Sequence, residues 1–173
     1  PSLWDHLNWQ AALTFFDETE REIAQFIIGN INEDGYLGSS IEEIAGLCRS
    51  TPEKVDAIRQ KIKAFDPVGV GSLDLKEALL AQMDSLEVKD DIARTIVRDH
   101  LPLLEKSDYS HLARALDIPP QDVKYHIELI KSLDPAPGRK SRRRRGVSNP
   151  RDTGGAARDK RARVAVGIAR LAE

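Results

Sequence analysis

The chain has 173 residues, of which 40% are apolar and only 5% aromatic. That is enough for one ordinary domain or two small lobes packed through Leu, Ile, Val and Ala. No apolar run approaches the roughly 18 residues of a membrane span, residues 1–5 lack the basic and apolar regions of a secretory signal, and a single cysteine, Cys48, excludes an intrachain disulfide. The expectation is a soluble, cytoplasmic monomer with no membrane contact. The formal net charge of −2 divides sharply at Gly138. Residues 1–138 carry 14 Lys/Arg against 25 Asp/Glu, and residues 139–173 carry 12 against 3.

In chain order, Ser2 is placed to cap a first helix, with Asp5 as its capping-box partner. A second helix starts near Asp17 and buries Ile23, Phe26, Ile27 and Ile31. A third covers about 39–48. A fourth begins at Pro52, where a missing N–H costs nothing, and buries Val55, Ile58, Ile62 and Phe65. Further helices are expected over 72–85, 89–104, 109–117 and 120–133. No segment alternates with period two for long enough to argue a strand. The predicted fold class is all-α.

An internal repeat is superimposed on this pattern. The segment from Ile41 to Asp66-Pro67 aligns without a gap on Tyr109 to Asp134-Pro135 at an offset of 68. Pro52 meets Pro120, Val55 meets Val123, and Ile62-Lys63 meets Ile130-Lys131. With one more residue of offset, Ile23-Ala24 and Ile27 meet Ile92-Ala93 and Ile96. Two tandem three-helix lobes follow, each ending in a helix-turn-helix, with the first and fifth helices flanking or linking them. The expected division is 1–71, 72–138 and a basic tail, 139–173. A proline pushes the preceding residue out of the α region, so each Asp-Pro should stop its helix. Asp34, Gly35, Pro67, Gly69, Gly71, Pro135, Pro137 and Gly138 are assigned to structural turns.

Several chemical signals are tempting and incomplete. Asn30, Asn32, Asp34 and Gly35 imitate half a calcium loop, but the twelfth position, which needs a bidentate Glu, is Ile41. The four His are scattered without a partner at ligand spacing, and Cys48 reads as a small core residue. Gly69-Val70-Gly71 follows a helix and lacks the Lys-Ser/Thr of a phosphate loop. No catalytic, metal or cofactor residue is assigned, and the chain is read as a non-enzyme. As a DNA reader, helix 52–65 offers Lys54, Arg59, Lys61 and Lys63 but opens with Glu53. In the second lobe Gln121, Asp122, Lys124 and Glu128 make a poor reading head. Phosphate neutralisation supplies most affinity for DNA, and the acidic body opposes it.

Four segments resemble one family. Residues 2–10, Ser-Leu-Trp-Asp-His-Leu-Asn-Trp-Gln, are similar to the S-L-x-D-H-L-x-x-Q that opens the core-binding region of sigma-54 factors. Residues 28–37, Ile-Gly-Asn-Ile-Asn-Glu-Asp-Gly-Tyr-Leu, resemble its I-x-x-I-D-x-D-G-Y-L. Residues 65–75, Phe-Asp-Pro-Val-Gly-Val-Gly-Ser-Leu-Asp-Leu, resemble its F-D-P-x-G-V-x-A-R-D-L. Residues 133–138, Leu-Asp-Pro-Ala-Pro-Gly, resemble the closing L-x-P-x-P-G. The resemblance covers about 138 residues and implies a promoter-recognition subunit whose partner is core RNA polymerase. It also implies that promoter DNA is contacted only through regions outside this chain, and an activator ATPase only indirectly. No Gln-rich leader precedes Pro1 and no A-R-R-T-V-A-K-Y-R-E-like box follows, so the sequence reads as a fragment or truncated product.

The tail departs from the family pattern. Arg142–Arg145 and the Arg/Ala/Gly-rich remainder suit a solvated, disordered segment, and their composition resembles a GC-rich message read out of frame. A free-standing helix-turn-helix adaptor that binds DNA through this tail is the alternative function. For the polymerase contact, Trp4, Trp9, Phe15 and Phe16 concentrate aromatic surface at the edge of the first lobe. Arg59 and Lys63 are added from the helix beside it. The same aromatics could instead pack the first helix onto its lobe.

Overall fold

Short polar side chains set most of the helix starts, where the first N–H groups have no intrahelical partner. The computed structural model describes residues 1–139. Ser2 and Asp5 form a reciprocal capping box that opens α1 (Leu3–Thr14), and Asp17 caps α2 (Glu18–Gly29). Ser40 and Glu43 form a second box at the start of α3 (Ile41–Cys48). Thr51 caps α4 (Pro52–Lys63), with Pro52 in its first turn. Then follow α5 (Leu75–Ser85), α6 (Asp91–Asp99), α7 (Leu101–Glu105), α8 (Tyr109–Leu116), α9 (Pro120–Lys131) and a short 3-10 turn, Pro137–Arg139. Among the described residues the extended pairing amounts to two isolated bridges, Ile31 with Leu37 and Tyr36 with Ser72. The fold is all-α.

One expected helix, 89–104, is two. Pro102 has no N–H to continue the helix, and its ring would clash with the carbonyl one turn earlier. The chain leaves the helix at His100 (φ −129°) and restarts as α7 with proline in the first turn. The helices before each Asp-Pro also stop earlier than expected, at Lys63 and Lys131. Phe65 and Leu133 then turn into the core.

The described chain forms two units. The first holds residues 1–74 together with 136–139; the second holds 75–135. In the first unit Leu3, Leu7, Ala11 and Phe15 join Ile23, Ile27, Ile44, Val55 and Ile62 in one core. In the second, Leu79 and Met83 of α5 join Ile96, Leu104, Leu112, Val123 and Ile130. The first and fifth helices, expected as flanking or linking elements, take part in these cores. Each contributes fully buried side chains, so each unit is built on at least four helices.

The repeat is also visible in its polar bonds. Both α3 and α8 end on a left-handed residue 68 positions apart, Arg49 (φ 55°) and Asp117 (φ 54°). The next N–H returns to an equivalent carbonyl, Ser50 to Ala45 at 2.9 Å and Ile118 to Ala113 at 3.1 Å. The Gln10 amide donates to Asp66 O (2.7 Å) and accepts from Asp66 N (2.8 Å). Gln82 repeats this on Asp134, at 2.7 Å in both directions. Asp17 and Asp90 cap α2 and α6, while Arg21 and Arg94 donate back to Phe15 O (2.7 Å) and Val88 O (3.0 Å). For this helix the polar correspondence runs at an offset of 73, four more than the apolar residues suggest. Four residues are about one helical turn, so apolar spacing alone does not separate the two registers.

Candidate functional site

The residues expected to meet a partner separate into two groups. Phe15 is the C-cap of α1 and fully buried, its ring 6.2 Å from that of Phe65 and covered by Lys61 Nζ at 5.8 Å. It belongs to the core and offers no surface. Arg59 is 3% exposed. Its guanidinium donates to Asp56 (2.7 and 3.0 Å) and to Gly71 O (3.1 Å), so it too is a structural group. Trp4 is half-buried, with its indole N–H donating to Ile31 O at 2.8 Å. Lys63 lies half-buried at the end of α4 and reaches Gln60 at 3.0 Å.

Trp9 and Phe16 remain as surface. Trp9 is 62% exposed, Leu13 58% and Phe16 78%. Spacings of four and three residues put the first two on one face of α1 and carry the stripe across its end. Leu13 was missed in the sequence reading, although its i+4 relation to Trp9 is a legible signal. His6 stacks beside Trp9, with ring centroids 6.4 Å apart, and bonds Asp66 at 3.0 Å. Beside the stripe, α1 and α2 enclose an open groove of about 600 Å³. Trp4, Asn8 and Ala12 line it from one helix, and Arg21, Gln25 and Ile28 from the other.

The second unit supplies an internal control. At the Gln10–Gln82 offset of 72, Trp9 and Leu13 correspond to Ala81 and Ser85. At the Asp17–Asp90 offset of 73, Phe16 corresponds to Lys89. At the offset of 73 Leu13 instead meets Leu86, itself 65% exposed, so the two copies differ at the positions of Trp9 and Phe16 and share an exposed leucine near the helix end. Single exposed hydrophobics need no explanation, but three within eight residues at one helix end invite one.

The turn residues fall where the chain reverses. Gly35, Gly69 and Gly71 have positive φ, and Pro67, Pro137 and Gly138 are buried, with Pro135 half-buried before them. Asn32 Oδ1 accepts from the N–H groups of Asp34 and Tyr36, both at 3.0 Å, and Asn30 Oδ1 accepts from Ser39 at 2.9 Å. These oxygens, the calcium-like positions, serve the turn. Burial and nearby Glu22 push the Cys48 thiol up, the opposite of what a nucleophile needs. On α4 and α9 the outward side chains include Glu53, Lys54, Gln60 and Lys61, and Gln121, Asp122, Lys124 and Tyr125. Both faces mix acid, amide and base. The expected disordered tail lies outside the described residues, and no described helix is long and apolar enough to cross a membrane.

The fold is a duplicated helix-turn-helix module whose first copy exposes Trp9, Leu13 and Phe16 at the end of α1. Residues 1–149 match the family described as sigma-54 factor, core binding domain, and the chain belongs to that family. Among similar proteins are RNA polymerase sigma-54 factors of Acidithiobacillus ferridurans (38% identity over 141 residues), Salmonella typhimurium and Escherichia coli (each 38% over 143). Each alignment covers 79% of this chain, and the chain spans about 30% of the length of these relatives.

Proposed function

We propose that this chain is the part of an alternative sigma factor that docks on core RNA polymerase in transcription initiation, and that its first unit makes the contact through the Trp9, Leu13 and Phe16 stripe. The observation that carries this reading is the exposure of Trp9 (62%) and Phe16 (78%) at positions where the second copy has Ala81 and Lys89. Family membership supports the choice of partner. An amphipathic element of the polymerase laid along α1 would cover the stripe and the adjoining groove, a common mode of peptide recognition. Promoter reading and the response to an activator are assigned to other regions of the whole protein.

The test is a pair of variants in the full chain, Trp9→Ala and Phe16→Ala. Exposed aromatics at an interface centre are typical hot spots, each worth about 2 kcal/mol or more on truncation. Affinity for purified core polymerase is expected to fall at least about tenfold per substitution, while the unfolding midpoint stays unchanged. Undiminished affinity in the double variant would defeat the assignment to this face. Failure of the unsubstituted chain to bind polymerase, with selective binding of one duplex DNA, would favour the adaptor instead.

A further inference from the structure

We propose that Asp34, Gly35, Gly138 and Arg139 form a latch whose closure alone holds residues 136–139 on the first unit, with buried Arg59 positioning its seat. The two halves lie 105 residues apart in sequence yet meet closely. Gly138 N–H donates to Asp34 O at 2.9 Å, and the Arg139 guanidinium pairs with the Asp34 carboxylate. A Cβ on Gly138 would sit 2.5 Å from both Glu33 O and Gly35 N, and one on Gly35 would sit 2.7 Å from Gly138 N. Gly35 also has φ +97°, a geometry that a side chain resists. Two backbones approach so closely here that neither tolerates a side chain.

The seat is prepared from beneath. Asn32 Oδ1 holds the turn through the N–H groups of Asp34 and Tyr36. Gly35 O accepts from Gly71 N at 2.8 Å, and Gly71 O accepts from Arg59 at 3.1 Å. A chain of bonds thus runs from α4 through Arg59, Gly71 and Gly35 to Gly138. A guanidinium at 3% exposure is a costly core group unless its bonds accomplish something. In the second copy, at the offset of 68, the equivalent residue is Ile127, which is 1% exposed. That copy has plain packing where the first has a bonded support.

The strap of residues 136–139 is therefore carried by the first unit, although the second immediately precedes it in the chain. Under the docking role proposed above, the body that meets the polymerase also holds the end of the strap; that consequence rests on the docking reading, while the latch does not.

The experiment uses the full chain and follows amide exchange at residues 35, 136, 138 and 139 by NMR. The unsubstituted latch is expected to give slow exchange at these positions. Gly138→Ala should speed exchange at residues 136, 138 and 139 at least tenfold, with α1–α4 core amides and polymerase affinity unchanged. Arg59→Met, which refills the volume with an apolar chain, should speed the same amides while leaving the α8–α9 amides alone. Fast exchange at these positions without substitution, or equally slow exchange in Gly138→Ala, would overturn the latch. Unaltered exchange in Arg59→Met would overturn the positioning role of Arg59. Loss of polymerase binding with an intact latch would count against the docking assignment alone.

Discussion

Ser72 is fully buried in the first unit, and its Oγ has no hydrogen-bond partner among the described residues. Its backbone is well used, since Ser72 O accepts from Leu37 N at 2.9 Å. The family segment that residues 65–75 resemble carries Ala at this position. An unsatisfied buried hydroxyl costs about 1–3 kcal/mol, and removing it together with its need for a partner recovers part of that. Ser72→Ala is expected to leave stability unchanged or raise it by about 1 kcal/mol, read as a higher urea midpoint at constant slope. Neighbouring residues differ just as sharply in role. Phe15 and Phe16 are indistinguishable in the sequence, and their assignment depends on where α1 ends. With the C-cap at residue 15, one ring turns inward at 0% exposure and the next outward at 78%. Arg59 looked like an exposed cation because its partner Gly71 lies 12 residues away in a turn whose own signature does not say which side chain it meets.

Asp90 shows what a single side chain does for two helices. It caps α6 by accepting from Ala93 N at 3.0 Å and also bonds the His126 ring of α9. Burial alone would raise its pKa, but the Ala93 and Ile92 N–H groups and His126 hold it below the ordinary carboxylate value. A carboxylate with a depressed folded pKa contributes stability above its unfolded pKa, about 3.9, and loses it as pH falls through the folded value. Asp90→Ala is expected to cost about 1–2 kcal/mol at pH 7, the usual range for a lost cap. That difference should shrink below about pH 4, as followed by denaturant titration at several pH values. At this scale the sequence was informative wherever a signal is local. Ser2, Asp17 and Pro52 mark their helix ends because the cap or ring acts within three residues. The Gln10 and Gln82 clasps were not legible, since each amide reaches a backbone more than 50 residues away. Periodicity likewise placed α6 on the correct face but one turn out of register, a degeneracy that only the Asp cap and the Arg-to-carbonyl bond resolve.

At the scale of the whole chain, two cores of similar construction are expected to respond separately to a cavity. Ile62 is fully buried in the first core. Ile62→Ala should remove about 2–5 kcal/mol, with amide protection falling in α1–α4 before it falls in α8 and α9. Simultaneous loss across both sets would show that the units unfold as one. The division also has an order in time. Residues 136–139 complete the first unit, yet they are made after all of residues 75–135. A ribosome adding about 5–20 residues per second releases the strap several seconds after the hairpin that receives it. The nascent first unit therefore waits with the Gly35 turn uncovered while the second unit is synthesised. Its final bond, from Gly138 N to Asp34 O, can form only when both units have emerged, so closure of the older body reports that the younger one has been made.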